Sequence, residues 1–478
     1  MSLPTPDGLT AELDRLSPVT DRLSAAFRHD GHSLYLVGGP VRDALLGLPA
    51  HDLDFATSAR PDAIEAILAR LGGPIWDMGR DFGTIGTRVG HGPEAWTVEV
   101  TTFRADAYDA ASRKPAVAFG DTVEGDLRRR DFTVNAMAVN LADRTLIDPY
   151  GGRADLERRQ LRTPAPAQES FSDDPLRMLR AARFAARFAL RPTPDVVKAM
   201  MALGRRLDIV SAERIRDELA KLLLTDRPRV GLDLIVRAGL ADHFLPELPA
   251  LRLEIDEHHR HKDVYEHSLI VVEQAIALEK QRRHEPDLVI RLAALLHDIG
   301  KPKTRRYEAG GKVSFHHHDV VGAKLARARL TALRFPGEVV DSVARLTELH
   351  LRFHGYGDGQ WTDSAVRRYV RDAGPELERL HILTRSDCTT RNQAKADRLR
   401  RAYEELEWRV DELAAKEELD AIRPELDGHQ IMDLLGIGPG RDVGAAYQFL
   451  LELRLDEGML GEAKAAEALR AWWAARPA

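Results

Sequence analysis

The sequence of 478 residues contains a single cysteine, Cys388. A disulfide framework is therefore excluded, and a reducing cytoplasm is the expected setting. Long apolar runs are missing as well. No stretch approaches the roughly 18 residues needed to cross a bilayer, so no membrane association is expected. The opening, MSLPTPDGLT, has neither a basic segment nor an apolar run, and no secretory signal is expected there. An excess of positive charge is absent too: 69 Lys and Arg against 75 Asp and Glu leave a net charge of −6. That argues against a wholly basic nucleic-acid binder. RNA binding stays open, because the footprint depends on where the charges lie. Here they are uneven: Arg128, Arg129 and Arg130 are consecutive, and Arg177, Arg180, Arg183 and Arg187 follow. No short-period repeat and no long low-complexity tract is found.

What is present fits a globular protein, with 44% hydrophobic and 30% charged residues. The length exceeds what one core accommodates, so two to four domains are expected. Residues 9–30 read as a helix. LYLVGG (34–39) reads as a short apolar strand ending in two glycines. PVRDALLG opens with Pro40 and closes on Gly47, which predicts a short helix. HDLDFAT (51–57) alternates as a strand does, residues 61–71 read as helix, and GTIGTRV (83–89) and AWTVEVTTF (95–103) as strands. VNAMAVN (134–140) continues the apolar packing. Helical patterns dominate after FSDDPLRM, and the tail, EAKAAEALRAWWAARPA, reads as an amphipathic helix.

Gly38 and Gly39 stand between a buried strand and a helix, where backbone N–H groups can approach a phosphate closely. Thirteen residues on come Asp52 and Asp54. Positions i and i+2 of a strand share a face, and two adjacent carboxylates repel unless a cation lies between them. A pair of Mg²⁺ ions answers that need: it holds a triphosphate, lowers the pKa of an attacking 3′-hydroxyl and stabilises the leaving pyrophosphate. Glu99, in the strand TVEVTT, is the candidate third carboxylate.

LVGGPVRDALLGLPAHDLDFAT resembles the head of the nucleotidyltransferases that act on tRNA 3′ ends, the class II CCA-adding enzymes and their bacterial poly(A) polymerase relatives. FRADAYDAASRKPAVAFGDTVEGDLRRRDFTVNAMAVN resembles the family's second block, DDPLRMLRAARFAARF its base-selecting helix, and SAERIRDELAKLL the block after it. The resemblance runs from about residue 34 to about 225. It implies that Arg42 contacts the nucleotide or its phosphates. It further implies that Arg130 and Asn135 help hold the sugar and phosphates, with Arg129 an alternative to Arg130 as direct ligand.

Asp174 and Arg177 read as i and i+3 of a helix that Pro175 begins and that Ser172 or Asp173 caps. A carboxylate only accepts hydrogen bonds and a guanidinium only donates them. Cytosine and adenine each present an amine donor beside a ring-nitrogen acceptor, which suits that pair. Uracil and guanine would set a carbonyl oxygen against Asp174. The resemblance implies the same roles, a protein template for CTP and ATP. Arg180 and Arg183 extend this cationic side toward the triphosphate. The segment 104–125, with Tyr108, Arg113 and Pro115, resembles the loop by which full CCA-adding enzymes switch from C to A. The region WDMGRDFGTIGTRV lacks the basic-aromatic stretch of the poly(A) polymerases.

Further along, His267 lies in VYEHSLIVV, His297 and Asp298 end the apolar VIRLAALLHDIGKP, and Asp387 lies in TRSDCTT. Imidazole with carboxylate is a common ligand set for a divalent metal, and these residues resemble the HD-superfamily signature. His318 and His350 fit a second metal, with His316 and His317 as neighbours of the former. The resemblance implies either a phosphohydrolase, acting on cyclic phosphates or phosphomonoesters with a metal of unspecified identity, or a body that mainly binds tRNA.

The expected architecture is an α/β nucleotidyltransferase head, a mixed sheet with helices, over residues 1–165. A helical neck (166–250) for base selection and RNA binding follows, then an HD body (251–400) and a helical tail (401–478). The expected activity is untemplated addition of CCA to the acceptor end of tRNA. The alternatives are a poly(A) polymerase with the same head, or an HD phosphohydrolase whose head only binds nucleotides.

Overall fold

The computed structural model describes residues 2–3, 6–50, 52–90, 95–104, 119–253, 263–308, 313–355, 361–389, 392–417 and 422–476. They pack as two units, 1–244 and 245–478. Most of the 104–125 loop, with Tyr108, Arg113 and Pro115, lies outside the described residues.

The first unit is built on an eight-stranded mixed sheet. Its strands are β1 (Ser2–Leu3), β2 (Leu34–Val37), β3 (Asp52–Thr57), β4 (Ile75–Trp76), β5 (Thr84–Val89), β6 (Trp96–Thr102), β7 (Ala138–Asn140) and β8 (Leu146–Ile147). The order is β1-β8-β7-β2-β3-β6-β5-β4. β3 and β6 run parallel, and the other neighbours are antiparallel. The first helix, α1 (Asp7–His29), buries Leu9, Leu13, Leu16, Leu23 and Phe27, the spacing of one helix face. At about 1.5–3 kcal/mol for each fully buried large side chain, that stripe alone anchors α1. β3 alternates as its sequence predicts: Leu53 and Phe55 are each 1% exposed, while Asp52 and Asp54 are exposed.

The sheet is followed by short helices and then by a helical section. α2 (Gly39–Leu45), α3 (Pro61–Ala69), α4 (Val123–Arg128) and α5 (Gly152–Glu157) belong to the sheet part. α6 (Ala167–Asp173), α7 (Leu176–Phe188), α8 (Pro194–Leu203), α9 (Ala212–Leu223) and α10 (Pro228–Arg237) complete the unit. α7 packs against both α9 and α10, burying Met178, Leu179, Ala182 and Ala186.

Among the described residues the second unit is helical apart from one two-stranded pairing. Helices Val264–Gln281, Leu288–Leu296 and Leu377–Ser386 pack together, and His318–Ala332 lies against Gly337–Leu349. Arg291 and Glu279 form an ion pair of 2.7 Å within it, with side chains only 2% and 1% exposed. The last three helices close a separate small core of Leu426, Ile431, Ala446, Leu450, Ala465 and Leu469. There Trp472 stacks on Phe449, with ring centroids 4.8 Å apart.

Candidate active site and metal centre

Strand β2 delivers the chain to Gly38, whose φ of +74° is a conformation side-chain-bearing residues rarely adopt. A Cβ there would also lie 2.7 Å from Arg130 Nη1. The glycine therefore serves two ends: the left-handed turn into α2, and the seating of a guanidinium directly against it. Of the two arginines the sequence left open, Arg130 is the one against the turn. Its cation also acts on Asp54. Arg129 contributes its carbonyl, which accepts from Arg177 Nη2 at 2.6 Å.

Beside the turn, Asp54 and Glu99 are register partners across the parallel β3–β6 pair. The surrounding protein raises the Asp54 carboxyl, opposed by Arg130, and Asp52 raises it further. Glu99 is raised by partial burial and then by both aspartates. Three carboxylates thus share one field that disfavours their combined negative charge, and this arrangement fits divalent cations.

Behind them runs a hydrogen-bonded chain that the sequence reading lacked. Arg42 Nη1 donates to Asn135 Oδ1 at 2.6 Å, and Asn135 Nδ2 donates to Asp131 Oδ1 at 2.8 Å. Arg180 Nε donates to Asp131 Oδ2 at 2.8 Å. Burial would raise the Asp131 carboxyl, but Arg180 and Asn135 prevail and hold it at about 2. Arg42 is itself buried, 4.3 Å from the Phe188 ring. Arg42 and Asn135 are thereby fixed relative to the glycine turn, and Arg180 is tied to Asp131 rather than left on an open arginine face.

The base-selecting residues are arranged differently from the simple i, i+3 expectation. FSDDP does not begin a helix: Ser172 and Asp173 end α6, and Asp174 follows in extended geometry (φ −136°, ψ 99°). Asp174 Oδ1 accepts from the N–H of Leu176 at 3.2 Å, and Pro175, not Ser172 or Asp173, stands at the cap position of α7. Its carboxylate pairs with Arg214 of α9 at 3.2 Å. Arg177 is buried and donates to Ser170 Oγ at 2.8 Å as well as to the Arg129 carbonyl. Arg183 is buried against Glu218, 2.6 Å away. The structure brings Asp174 together with Arg214 of the SAERIRDEL block. A pairing between the α6–α7 junction and a helix 40 positions on has no local periodicity that would reveal it.

The second unit assembles the HD residues. His267, His297 and Asp387 form one group and Asp298, His318 and His350 another, with the donor atoms of each within 4.8 Å of one another. Asp298 bridges them: its Oδ2 is 3.3 Å from His297 Nε2, and its Oδ1 is 3.3 Å from His318 Nε2 and 4.0 Å from His350 Nε2. His297, His318 and His350 each direct Nδ1 to the carbonyl three residues earlier, at 2.9, 2.8 and 2.6 Å. Since a carbonyl only accepts, Nδ1 is the donor in each ring and Nε2 is the nitrogen directed inward. The buried Nε2 atoms of His318 and His350 have no well-aligned hydrogen-bond partner. Each of these observations fits a divalent metal. Of the three consecutive histidines only His318 is buried; His316 and His317 are exposed.

Comparison with known proteins places these features in a family. Residues 34–162 match the poly(A) polymerase head domain, 190–251 the probable RNA- and SrmB-binding site of polymerase A, and 264–392 the HD domain. The chain is 35% identical over 449 residues to the A-adding tRNA nucleotidyltransferase of Deinococcus radiodurans, covering 92% of this chain and 95% of that one. The chain belongs to the tRNA nucleotidyltransferase family. It is also 34% identical to the CC-adding tRNA nucleotidyltransferase of Thermus thermophilus, over 91% of this chain and 93% of the relative. The fold of this nucleotidyltransferase is shared with the CCA-adding enzyme of Bacillus stearothermophilus solved with CTP, at a TM-score of 0.67 and 23% identity over 98% of both chains. Among the described residues no helix is long and apolar enough to cross a membrane.

Proposed function

We propose that this nucleotidyltransferase adds CCA to the acceptor end of tRNA from CTP and ATP, without a nucleic-acid template. The observation that carries the reading is the adjacency of the Gly38 turn, with Arg130 seated on it, to the Asp52, Asp54 and Glu99 carboxylates. Residues 1–165 would then act as catalytic head, 166–250 as neck, 251–400 as HD body and 401–478 as tail. The setting is the cytoplasm.

In this account Asp52 and Asp54, with Glu99 beside them, hold Mg²⁺, which when bound neutralises the triphosphate and acidifies the acceptor hydroxyl. The backbone N–H groups at Gly38 and Gly39 and the Arg130 guanidinium hold the triphosphate. Arg42, Asn135, Asp131 and Arg180 keep that cradle in place. Asp174 accepts the exocyclic amine of cytosine or adenine, and an arginine donates to the neighbouring ring nitrogen. Arg177 is the family-implied donor, and Arg214 is already in contact with Asp174. Uracil and guanine would leave oxygen against oxygen at a cost of about 1–3 kcal/mol per unpaired group. The tRNA acceptor stem is read by shape and backbone.

The test is incorporation into a tRNA transcript ending before CCA and into one ending in CC, with CTP and ATP supplied separately and together, and the products sequenced. Addition of an ordered CCA to the first transcript is expected. Long A tails would instead identify a poly(A) polymerase. A second reading is A-only addition, favoured by the near full-length likeness to the Deinococcus radiodurans enzyme; it requires A on the CC-ended transcript and nothing on the other. The paired donor groups around Asp298 support a metal-dependent phosphohydrolase as an additional activity. Release of phosphate from phosphomonoesters or 2′,3′-cyclic phosphates, abolished by His297→Ala, is the corresponding assay.

A further inference from the structure

We infer that Trp76 is the platform on which the terminal base of the acceptor RNA stacks, setting its 3′-hydroxyl against Asp54 and Glu99. This rests on the nucleotidyl-transfer reading above and adds the acceptor side to it. Four residues stand in register across the sheet: Trp76 of β4, Gly86 of β5, Glu99 of β6 and Asp54 of β3. Register partners direct their side chains to the same face. Gly86 is bare, and a Cβ built on it would lie 2.0 Å from Trp76 Nε1 and 2.2 Å from Cε2. The indole therefore lies across β5, between the sheet edge and Glu99. A cavity of about 350 Å³ opens here, lined by Trp76, Met78, Phe82, Thr84, Glu99 and Arg104 among others. Met78 is 90% exposed and Phe82 46% exposed, so an apolar and aromatic surface adjoins the carboxylates.

The sides of the sheet decide which substrate this surface serves. β2, which ends in the Gly38 turn against which Arg130 sits, lies on one flank of β3; β6, β5 and β4 lie on the other. In-line displacement at the α-phosphate requires the attacking oxygen to enter opposite the leaving pyrophosphate. With the triphosphate held at Gly38, the acceptor hydroxyl enters from the β6–β5–β4 flank. Three strand steps of ~4.8 Å set the Trp76 backbone about 14 Å from that of Asp54. The indole reaches back over β5 and leaves the width of about one strand for a ribose. A stacking platform suits an acceptor whose last base changes as the tail grows, because every base has a π face.

The test compares wild type with Trp76→Ala, Trp76→Phe and Gly86→Ala on a tRNA ending before CCA, measuring KM for tRNA and for CTP separately. Trp76→Ala is expected to raise the tRNA KM about 10-fold, as loss of one stacked base implies, with the CTP KM unchanged within about twofold. Trp76→Phe should restore most of the loss, and Gly86→Ala, which keeps the ring but displaces it, should reproduce the defect. Tryptophan fluorescence gives a readout independent of turnover: an acceptor-stem minihelix should quench the wild type and not Trp76→Phe. An unchanged tRNA KM in Trp76→Ala, an equal rise in both KM values, or a quench that survives Trp76→Phe would overturn the proposal. Absence of nucleotide transfer by the wild type would instead overturn the reading on which it rests.

Discussion

Replacing Asp131 by Asn removes one charge from the chain Arg42–Asn135–Asp131–Arg180, and the consequence can be worked through. The Asp131 carboxylate is held at about 2 by Arg180 and Asn135 against the effect of burial, while an unfolded aspartate titrates near 3.9. Nearly two units at 1.36 kcal/mol each amount to about 2.5 kcal/mol of stability at pH 7. Because the folded pKa is depressed, this contribution is present in full well above pH 4 and is lost as the pH falls toward 2. At pH 3 roughly half remains. Asp131→Asn should therefore lower the stability of the first unit by about 2–3 kcal/mol at pH 7, and the gap from wild type should close to about half by pH 3. Urea titrations across that range, followed by hydrogen exchange at amides of α7 and β7 to isolate this unit, provide the measurement. A gap below about 0.5 kcal/mol at pH 7, or one that stays constant down to pH 3, would refute the assignment of Asp131 as a charged structural partner. Since Asp131 orients Asn135, the nucleotide KM should rise as well.

Three further outcomes are expected. Asp174→Ala should relax discrimination against UTP and GTP by about 10- to 100-fold, in line with about 1–3 kcal/mol per unpaired group, with a much smaller effect on tRNA KM; competition assays with mixed nucleotides would show it. His318→Ala should lower the bound divalent metal, measured by elemental analysis after dialysis, while leaving CTP incorporation within about twofold. Retention of metal in the wild type should fall with acidification, because His297 and His350 bind metal only through deprotonated Nε2.

Much of this arrangement was legible in the chain, and the reason is local. The alternation of HDLDFAT put both aspartates on one face of β3, and Asp54 stands in register with the Glu99 that the TVEVTT strand offered. VIRLAALLHDIGKP marked the end of a buried helix, where His297 and Asp298 are 0% and 1% exposed. What was not legible is what distant elements supply to one another. Asp131 and Arg180 are 49 positions apart, and Asp174 meets Arg214 across 40. Consecutive arginines look alike in sequence, and only packing sets Arg130 against Gly38 while Arg129 offers its carbonyl to Arg177. The two-residue strands β1, β4 and β8 are too short to carry a period. Trp76 gained its place beside Glu99 only because β5 presents a glycine at the crossing point.

Nucleotidyl transfer by this chain depends most on the head carboxylates. Its most direct test is single-turnover incorporation of CTP into a tRNA ending before CCA, by wild type and by Asp54→Ala, with tRNA and CTP binding measured alongside. Removal of a carboxylate that organises the transfer is worth several kcal/mol, each 1.36 of them tenfold in rate. A rate loss of at least about 100-fold with tRNA affinity retained is the predicted result. Incorporation within about tenfold of wild type would contradict the assignment of Asp54 to the reaction and, with it, the two-metal reading of this site.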